Sequence, residues 1–155
     1  MRITTLFIFL LLFAACGGNA DQSGGEATNG AATEGGLTQS QLENGIGPVE
    51  SVDLGAIDEA LAAQGEEIFR TKCSACHKMD ERYVGPPMED IVENRTPAYI
   101  MNMMLNPEEM LQKHPEARAM LGEYMTPMPN QQLTEDDARG VLEYLRSTTG
   151  AFTGE

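Results

Sequence analysis

Apolar and small residues recur at intervals of three and four in two separate stretches of the chain. The first stretch consists of Ile57, Leu61, Gly65, Ile68 and Phe69, and the second of Ala138, Val141, Leu142 and Leu145. This spacing puts the residues on one face of an α-helix, so each stretch predicts an amphipathic helix. Thr134, which precedes three acidic residues, predicts the start of the second helix, and Gly150 predicts its end.

Several short helices are predicted between these two. Thr96-Pro97 and Asn106-Pro107 each place a capping residue before a proline suited to the first helical position. Pro115 and Pro127 divide the segment that follows, because proline interrupts a helix. Apolar and polar residues nowhere alternate over more than a few positions, so the predicted fold class is all-α.

Gly140 lies inside the second amphipathic helix, where glycine costs about 1 kcal/mol relative to alanine. A glycine at such a position indicates that another backbone passes close to it. Gly65, in the first amphipathic helix, is the predicted partner. The two helices are therefore expected to contact each other at these glycines.

The start of the chain has the features of an export signal. Arg2 supplies a positive charge, and an apolar run over residues 6–13, too short to span a bilayer, leads to two alanines immediately before Cys16. This pattern resembles a bacterial lipoprotein signal, in which residues 1–15 are removed and Cys16 receives a lipid. An ordinary secretory peptide followed by a free cysteine is the alternative. Both interpretations predict export, so the protein is expected to face the periplasm or the cell exterior.

The next segment, residues 16–52, is predicted to be a flexible acidic linker. It is rich in small and polar residues and carries no Lys or Arg before residue 53. Residues 46–54 are more apolar, and composition leaves open whether they form an ordered arm across the domain or the end of the linker. The remaining residues, 53–155, suit one small domain that gains stability by packing around a large apolar cofactor.

One five-residue run, Cys73-Ser74-Ala75-Cys76-His77, carries most of the functional information. Its cysteines lie on one face of a helical turn, so both thiols can add to one haem while His77 binds the iron. The same cysteine spacing occurs in disulfide oxidoreductases and zinc sites. A thioredoxin-like site expects a βαβ setting, which is not predicted, and only Cys16 and His114 remain as further zinc ligands. We therefore predict one covalent haem c.

With these motifs, the chain resembles the class I monohaem cytochrome c family over about residues 55–148. The resemblance rests on Gly65-x-x-x-Phe69-x-x-x-Cys73, on Val141-x-x-Tyr144-Leu145 and on Gly85-Pro86. It implies the small cytochrome c fold, with short helices around one haem. It also implies that the Pro86 carbonyl accepts a hydrogen bond from His77, and that Arg95 and Tyr99 lie at the haem propionates.

The sixth iron ligand is predicted among the methionines. Met128-Pro129, shortly before the last helix, resembles the methionine loop of that family, and the adjacent proline restrains the loop. Met125 lies in the same loop and is the alternative. His114 would give a bis-histidine site, but its charged surroundings predict exposure to solvent. The other methionines at helical positions are assigned to packing; they are Met101, Met103, Met104, Met110 and Met120.

Ligation by histidine and methionine leaves no vacant coordination position, which predicts an electron carrier and not an enzyme. The resemblance implies a quinol-oxidising complex as electron donor and a terminal haem-copper oxidase or another periplasmic reductase as acceptor, with contact to the membrane through the lipid anchor. The alternative is a peroxidase-like haem enzyme or sensor with a labile sixth ligand. A structural or metal-binding lipoprotein without haem is a third possibility.

Charge restricts the partners further. The formal net charge is −14, and removal of the predicted signal leaves 9 basic and 24 acidic side chains, a net charge of −15. Nucleic acid is excluded as a partner on this ground. Four basic residues nevertheless surround the haem motif, and they are Arg70, Lys72, Lys78 and Arg82. The sequence leaves open whether they form a basic rim or are solvated charges at helix ends.

Overall fold

The computed structural model describes residues 36–153, so the predicted signal peptide, Cys16 and the first part of the predicted linker lie outside the described residues. Within that range the chain forms seven α-helices and no strand. They are α1 (Gln39–Asn44), α2 (Glu59–Ile68), α3 (Met88–Asn94), α4 (Pro97–Leu105), α5 (Pro107–Lys113), α6 (Pro115–Tyr124) and α7 (Glu135–Thr149). The all-α prediction is confirmed. Among these helices, none has the length and apolar character needed to cross a membrane.

Helices α2 and α7 cross at the two predicted glycines. A Cβ atom on Gly65 would overlap the backbone carbonyl oxygen of Gly140. A Cβ on Gly140 would lie 3.5 Å from the nearest atoms of Gly65 and Leu61, which is ordinary contact. The contact is therefore confirmed but asymmetric: Gly65 is the position at which a side chain cannot be accommodated.

The predicted helix ends are largely confirmed. Thr134 caps α7 in a reciprocal capping box with Asp137, and Gly150 ends that helix in the left-handed conformation. Thr96 accepts a hydrogen bond from the backbone N–H of Tyr99 at the start of α4. Asn106 precedes α5 as expected but its side chain makes no cap; its Nδ2 donates to the carbonyl oxygen of Ile46 and to Glu109.

The main hydrophobic core joins α7 to α3, α4 and the end of α2. Its fully buried members on α7 are Ala138, Val141, Leu142 and Leu145. These are the four positions at which the sequence pattern predicted an apolar face. Phe69, directly after α2, packs against Tyr144 of α7 with 5.4 Å between ring centroids. The core therefore holds the start of the haem motif against the last helix.

The structure corrects the predicted linker over residues 37–52, which we call the arm. The arm contains α1, and its Leu37, Ile46 and Val49 side chains are buried. Leu37 and Ile46 form a second cluster with residues of α4, α5 and α6. The sequence leaves open an ordered arm over residues 46–54. The ordered segment begins before residue 46, because the polar segment also contributes a few buried apolar side chains and a capped helix.

A buried ion pair ties both ends of the domain to α7. Glu143 and Arg146 are fully buried and their side chains lie 2.7 Å apart. Arg146 also donates to the carbonyl oxygens of Gly55, before α2, and Phe152, after α7. Arg139 donates to Glu143 as well. Each buried charge is therefore paired and hydrogen-bonded, which offsets its cost of desolvation.

The helix crossing gives a prediction about stability. Gly65→Ala should lower the free energy of unfolding by about 3 kcal/mol or more, because the added methyl group meets backbone that cannot move alone. Gly140→Ala should be neutral or stabilising, since alanine favours helix and the contact is ordinary. Thermal unfolding of both variants measures the difference. Gly122→Ala in α6, where nothing lies near the added carbon, is the control, and equal losses at 65 and 140 would contradict the asymmetry.

Candidate functional site

The two cysteines of the haem motif lie on a single turn. A π-helical segment, Phe69–Cys73, continues α2 directly into the motif. The backbone N–H groups of Cys76 and His77 both donate to the carbonyl oxygen of Cys73, at 3.0 and 2.9 Å. Both thiols are free and half-buried, and burial raises the pKa of Cys73 to about 11 while Lys72 acts against this. The thiols are thus available on one face for thioether bonds.

His77 is held in one orientation by the following loop. Its Nδ1 lies 3.1 Å from the carbonyl oxygen of Pro86, which only accepts, so Nδ1 carries the proton and Nε2 presents its lone pair. Burial lowers the pKa of His77, and the Pro86 hydrogen bond acts in the opposite direction. A neutral ring oriented by a carbonyl is the form in which histidine binds a metal.

Gly85 allows the loop to approach the imidazole this closely. Its N–H donates to the carbonyl oxygen of Cys76 at 2.8 Å. A Cβ atom on Gly85 would lie 2.6 Å from Cε1 and 2.9 Å from Nδ1 of His77. Any side chain at this position would displace the ring or break its contact with Pro86.

An apolar cavity opens beside the motif, and both cysteines and His77 lie on its wall. Other parts of the wall come from α4, α6, α7 and the loop after α6. Their aliphatic, methionine and proline members are Ile100, Met103, Met104, Met120, Leu121, Pro127, Met128, Pro129, Val141 and Leu145. A flat, apolar cofactor bonded to the two thiols fits such a lining, because its rings are buried against hydrophobic side chains.

The structure places the two candidate methionines differently. Met128 is half-buried on the wall of the cavity that also contains His77. Met125 ends α6 in a left-handed conformation and its side chain is 81% exposed. Met125 does not belong to the cavity wall, although its neighbours do. The loop therefore brings Met128, and not Met125, to the same cavity as the histidine.

The expectation that His114 faces solvent is wrong. Its ring is fully buried between α1 and α4, where Nε2 lies 3.2 Å from the carbonyl oxygen of Leu42. It meets the ring of Tyr99 edge-on, with 5.1 Å between centroids. His114 does not line the cavity, so the described geometry does not bring it together with His77. Its exposure was misjudged because the arm that covers it was expected to be a linker.

Tyr99 supplies a polar group on the wall of the cavity, whereas Arg95 lines an adjoining pocket that shares Tyr124 with it. Tyr99 is almost fully buried and lines the cavity, and its hydroxyl has no hydrogen-bond partner among the described residues. The buried Nε of Arg95 likewise has none within residues 36–153, although Glu116 lies 3.4 Å away. The Arg95 guanidinium stands 5.3 Å from the Tyr99 ring centroid. Buried donors without partners fit the carboxylates of a haem.

The basic residues near the motif are mostly engaged. Arg70 pairs with Glu67 and Arg82 with Glu123, both on the surface. Lys78 donates to the carbonyl oxygen of Ser74 and lies over the Tyr83 ring. Lys72 donates to the carbonyl oxygen of Gln131, after the methionine loop. Two of the four cations are thus neutralised by carboxylates, which favours the interpretation as helix-end charges over a continuous basic rim.

Sequence reasoning missed several cavity residues. Met103, Met104 and Met120 were assigned to packing, yet all three contribute to the cavity wall. Met101 and Met110 are buried away from it, as expected. Ile100 and Met104 of α4 belong both to the core and to the cavity wall, and a segment that is apolar at nearly every position does not show which side chains face the cavity.

Comparison with known proteins agrees with this site. The sequence pattern of the cytochrome c family matches residues 62–149, which include the haem motif. Cytochrome c-551 of Stutzerimonas stutzeri is 28% identical over 93 residues, or 59% of this chain and 84% of that protein. The structure of a cytochrome c from Rhodothermus marinus is 49% identical, covers 72% of this chain and 97% of its own, and superposes with a TM-score of 0.68. The structure of the cytochrome c domain of a Pseudomonas putida protein is 29% identical, covers 56% of this chain and 88% of its own, and superposes with a TM-score of 0.51.

The close contact at Gly85 gives a prediction about the histidine. Gly85→Ala should weaken the hydrogen bond between His77 and Pro86 and shift the haem absorption spectrum, because the methyl group meets the imidazole ring. Absorption spectra of the ferric and ferrous protein measure the effect. Gly55→Ala, where no atom lies within 4 Å of the added carbon, is the matched control. Unchanged spectra in the variant at position 85 would show that the loop can move away from the imidazole ring without altering its contact with the haem.

Proposed function

This chain belongs to the cytochrome c family and carries haem c on Cys73 and Cys76, and we propose that it is a one-electron carrier of a bacterial respiratory chain with His77 and Met128 as the two iron ligands. The observation that carries the proposal is that His77, Met128 and the two thiols all line one cavity. Bound haem supplies a reversible change between ferric and ferrous iron.

The ligand roles follow from the chemistry of the two side chains. His77 presents Nε2 because Pro86 holds the proton on Nδ1. Met128 offers a soft thioether, which favours the ferrous state and a high reduction potential. The prolines on either side of Met128 restrain the loop that presents it. If His77 and Met128 both bound the iron, no coordination position would remain for a substrate, which supports a carrier over an enzyme.

Arg95 and Tyr99 are proposed to bind the haem carboxylates. Burial raises the pKa of Tyr99 while Arg95 acts against this, so the hydroxyl keeps its proton and donates. The Arg95 Nε makes no hydrogen bond within the described residues, and it is ion-paired with Glu116 at 3.4 Å. Tyr99 would thus offer a donor on the cavity wall and Arg95 a charge beside it, and the two would orient a group that carries carboxylates on one edge.

The proposed place of work is the surface of a bacterial membrane that faces the periplasm or the cell exterior. Cys16, before the described residues, is the proposed lipid attachment, with residues 1–15 removed as a signal peptide. Anchoring would keep a protein of net charge −15 close to an anionic surface that does not attract it. The proposed donor is a quinol-oxidising complex, and the proposed acceptor is a terminal haem-copper oxidase or another periplasmic reductase.

The sixth ligand can be tested by two substitutions. Met128→Ala should remove the weak ferric absorption band that reports iron–sulfur bonding, and should lower the reduction potential by a sizeable part of the roughly 0.8 V that axial ligands span. Met125→Ala should leave the band and the potential unchanged, since that side chain is 81% exposed. Optical titration at a set of poised potentials measures both quantities. Loss of the band in the Met125 variant alone would show that Met125, and not Met128, is the sixth ligand.

The carrier role can be tested by kinetics. Stopped-flow mixing of the ferrous protein with membranes that contain a haem-copper oxidase should give oxidation that cyanide abolishes. The rate should depend only weakly on ionic strength, because two of the four cations near the motif are neutralised by carboxylates. A high-spin ferric spectrum together with peroxide turnover, and no oxidation by membranes, would support the peroxidase-like enzyme instead.

A further inference from the structure

The arm is held by side chains that bind its backbone. Asn102, in the middle of α4, is fully buried and makes three hydrogen bonds to the arm. Its Nδ2 donates to the carbonyl oxygens of Asn44 and Val49, each at 2.8 Å. Its Oδ1 accepts from the backbone N–H of Val49 at 3.0 Å. One amide side chain thus satisfies three buried backbone groups of a segment more than 50 residues away.

Residues on either side of α4 extend this recognition. Thr96 donates to the carbonyl oxygen of Glu43 at 3.1 Å, and Asn106 donates to that of Ile46 at 3.1 Å. The arm is therefore bound along its length by polar side chains at both ends and at the centre of α4.

Helices α5 and α6 complete the binding surface for the arm. The backbone N–H of Ile46 lies 3.0 Å from the sulfur of Met110 on α5. His114, between α5 and α6, holds the carbonyl oxygen of Leu42. These contacts involve the backbone of the arm, so they require little of its side chains.

Two glycines permit the close approach. A Cβ atom on Gly47 would overlap Oδ1 of Asn102, and one on Gly45 would lie 3.0 Å from the terminal methyl group of Met110. Gly45 also adopts a φ of +80°, which favours glycine. Gly47 has no such backbone requirement, so a substitution there tests the contact with Asn102 alone.

The helices that bind the arm also form one side of the haem cavity. Tyr99 belongs to both surfaces: it packs with Leu37 and Ile46 of the arm and lines the cavity. Met103 of α4 and Leu111 of α5 likewise contact the second cluster and the cavity. No residue of the arm lines the cavity. A layer one side chain thick therefore separates the arm from the haem site.

We propose that the arm and Asn102 are positioning elements of the haem site: by binding the backbone of Asn44 and Val49, Asn102 holds α4 and Tyr99 against the cavity and so keeps the iron closed to external ligands. This proposal rests on the proposed ligation by His77 and Met128. The matched family pattern begins at residue 62, so it does not contain the arm.

The test uses two variants that break the same contact from opposite sides. Gly47→Ala adds a methyl group that meets Asn102, and Asn102→Ala removes the three hydrogen bonds. Amide hydrogen exchange at Ile46 and Val49 measures whether the arm opens, and it should be about tenfold faster or more in both variants. Gly55→Ala is the control, because Gly55 also precedes α2 in the sequence and no atom lies near the added carbon. It should leave the exchange unchanged.

The haem-specific measurement is the affinity of the full-length ferric protein for imidazole, at a temperature well below unfolding. If the arm positions the site, imidazole should bind about tenfold more tightly to both variants than to wild type and the control, with a weaker iron–sulfur band. Faster exchange with wild-type imidazole affinity would reduce the arm to a structural element and overturn the proposal. Unchanged exchange in both variants would also overturn it, because the hydrogen bonds from Asn102 would then not be what holds the arm.

The same data separate this inference from the proposed ligation. Absence of the iron–sulfur band in the wild-type protein would contradict Met128 as ligand, whatever the variants do. A normal band in wild type that is equally strong in both variants would contradict only the role of the arm.

Discussion

The constraint on which the rest of the structure depends is the contact between α2 and α7, where Gly65 leaves no room for a Cβ atom beside the carbonyl oxygen of Gly140. Helix α2 passes without interruption into the turn that carries both thiols and His77. Helix α7 contributes Val141 and Leu145 to the cavity wall. Fixing one helix against the other therefore fixes the haem attachment turn against the surface that receives the ring.

Much of this arrangement follows from the sequence because it is encoded locally or by a rare motif. The apolar face of α7, its capping box at Thr134 and its end at Gly150 are short-range signals, and all agree with the structure. The contact between the two glycines was inferred from the cost of Gly140 within a helix. The asymmetry of that contact does not follow from the sequence. It depends on whether the Cβ position of each glycine points at the backbone of the other helix, and a linear pattern contains no such information.

The arm and His114 were not anticipated, for one common reason. The segment before residue 46 has the composition of a linker, and the order it acquires comes from side chains such as Asn102 and His114 that lie more than 50 residues later. The exposure expected for His114 followed from its charged neighbours, whereas its burial results from the arm that packs over it. Long-range binding of backbone leaves almost no trace in either partner's local sequence.

Recognition through peptide groups has a consequence for how the surface of this protein can change. Exposed positions of the arm such as Gln39, Ser40 and Glu43 contribute little besides helix propensity and surface charge. Charge added or removed there would alter the electrostatic field around the molecule while the two core clusters stay intact. The arm is thus a place where solubility and long-range attraction can be adjusted independently of the redox centre.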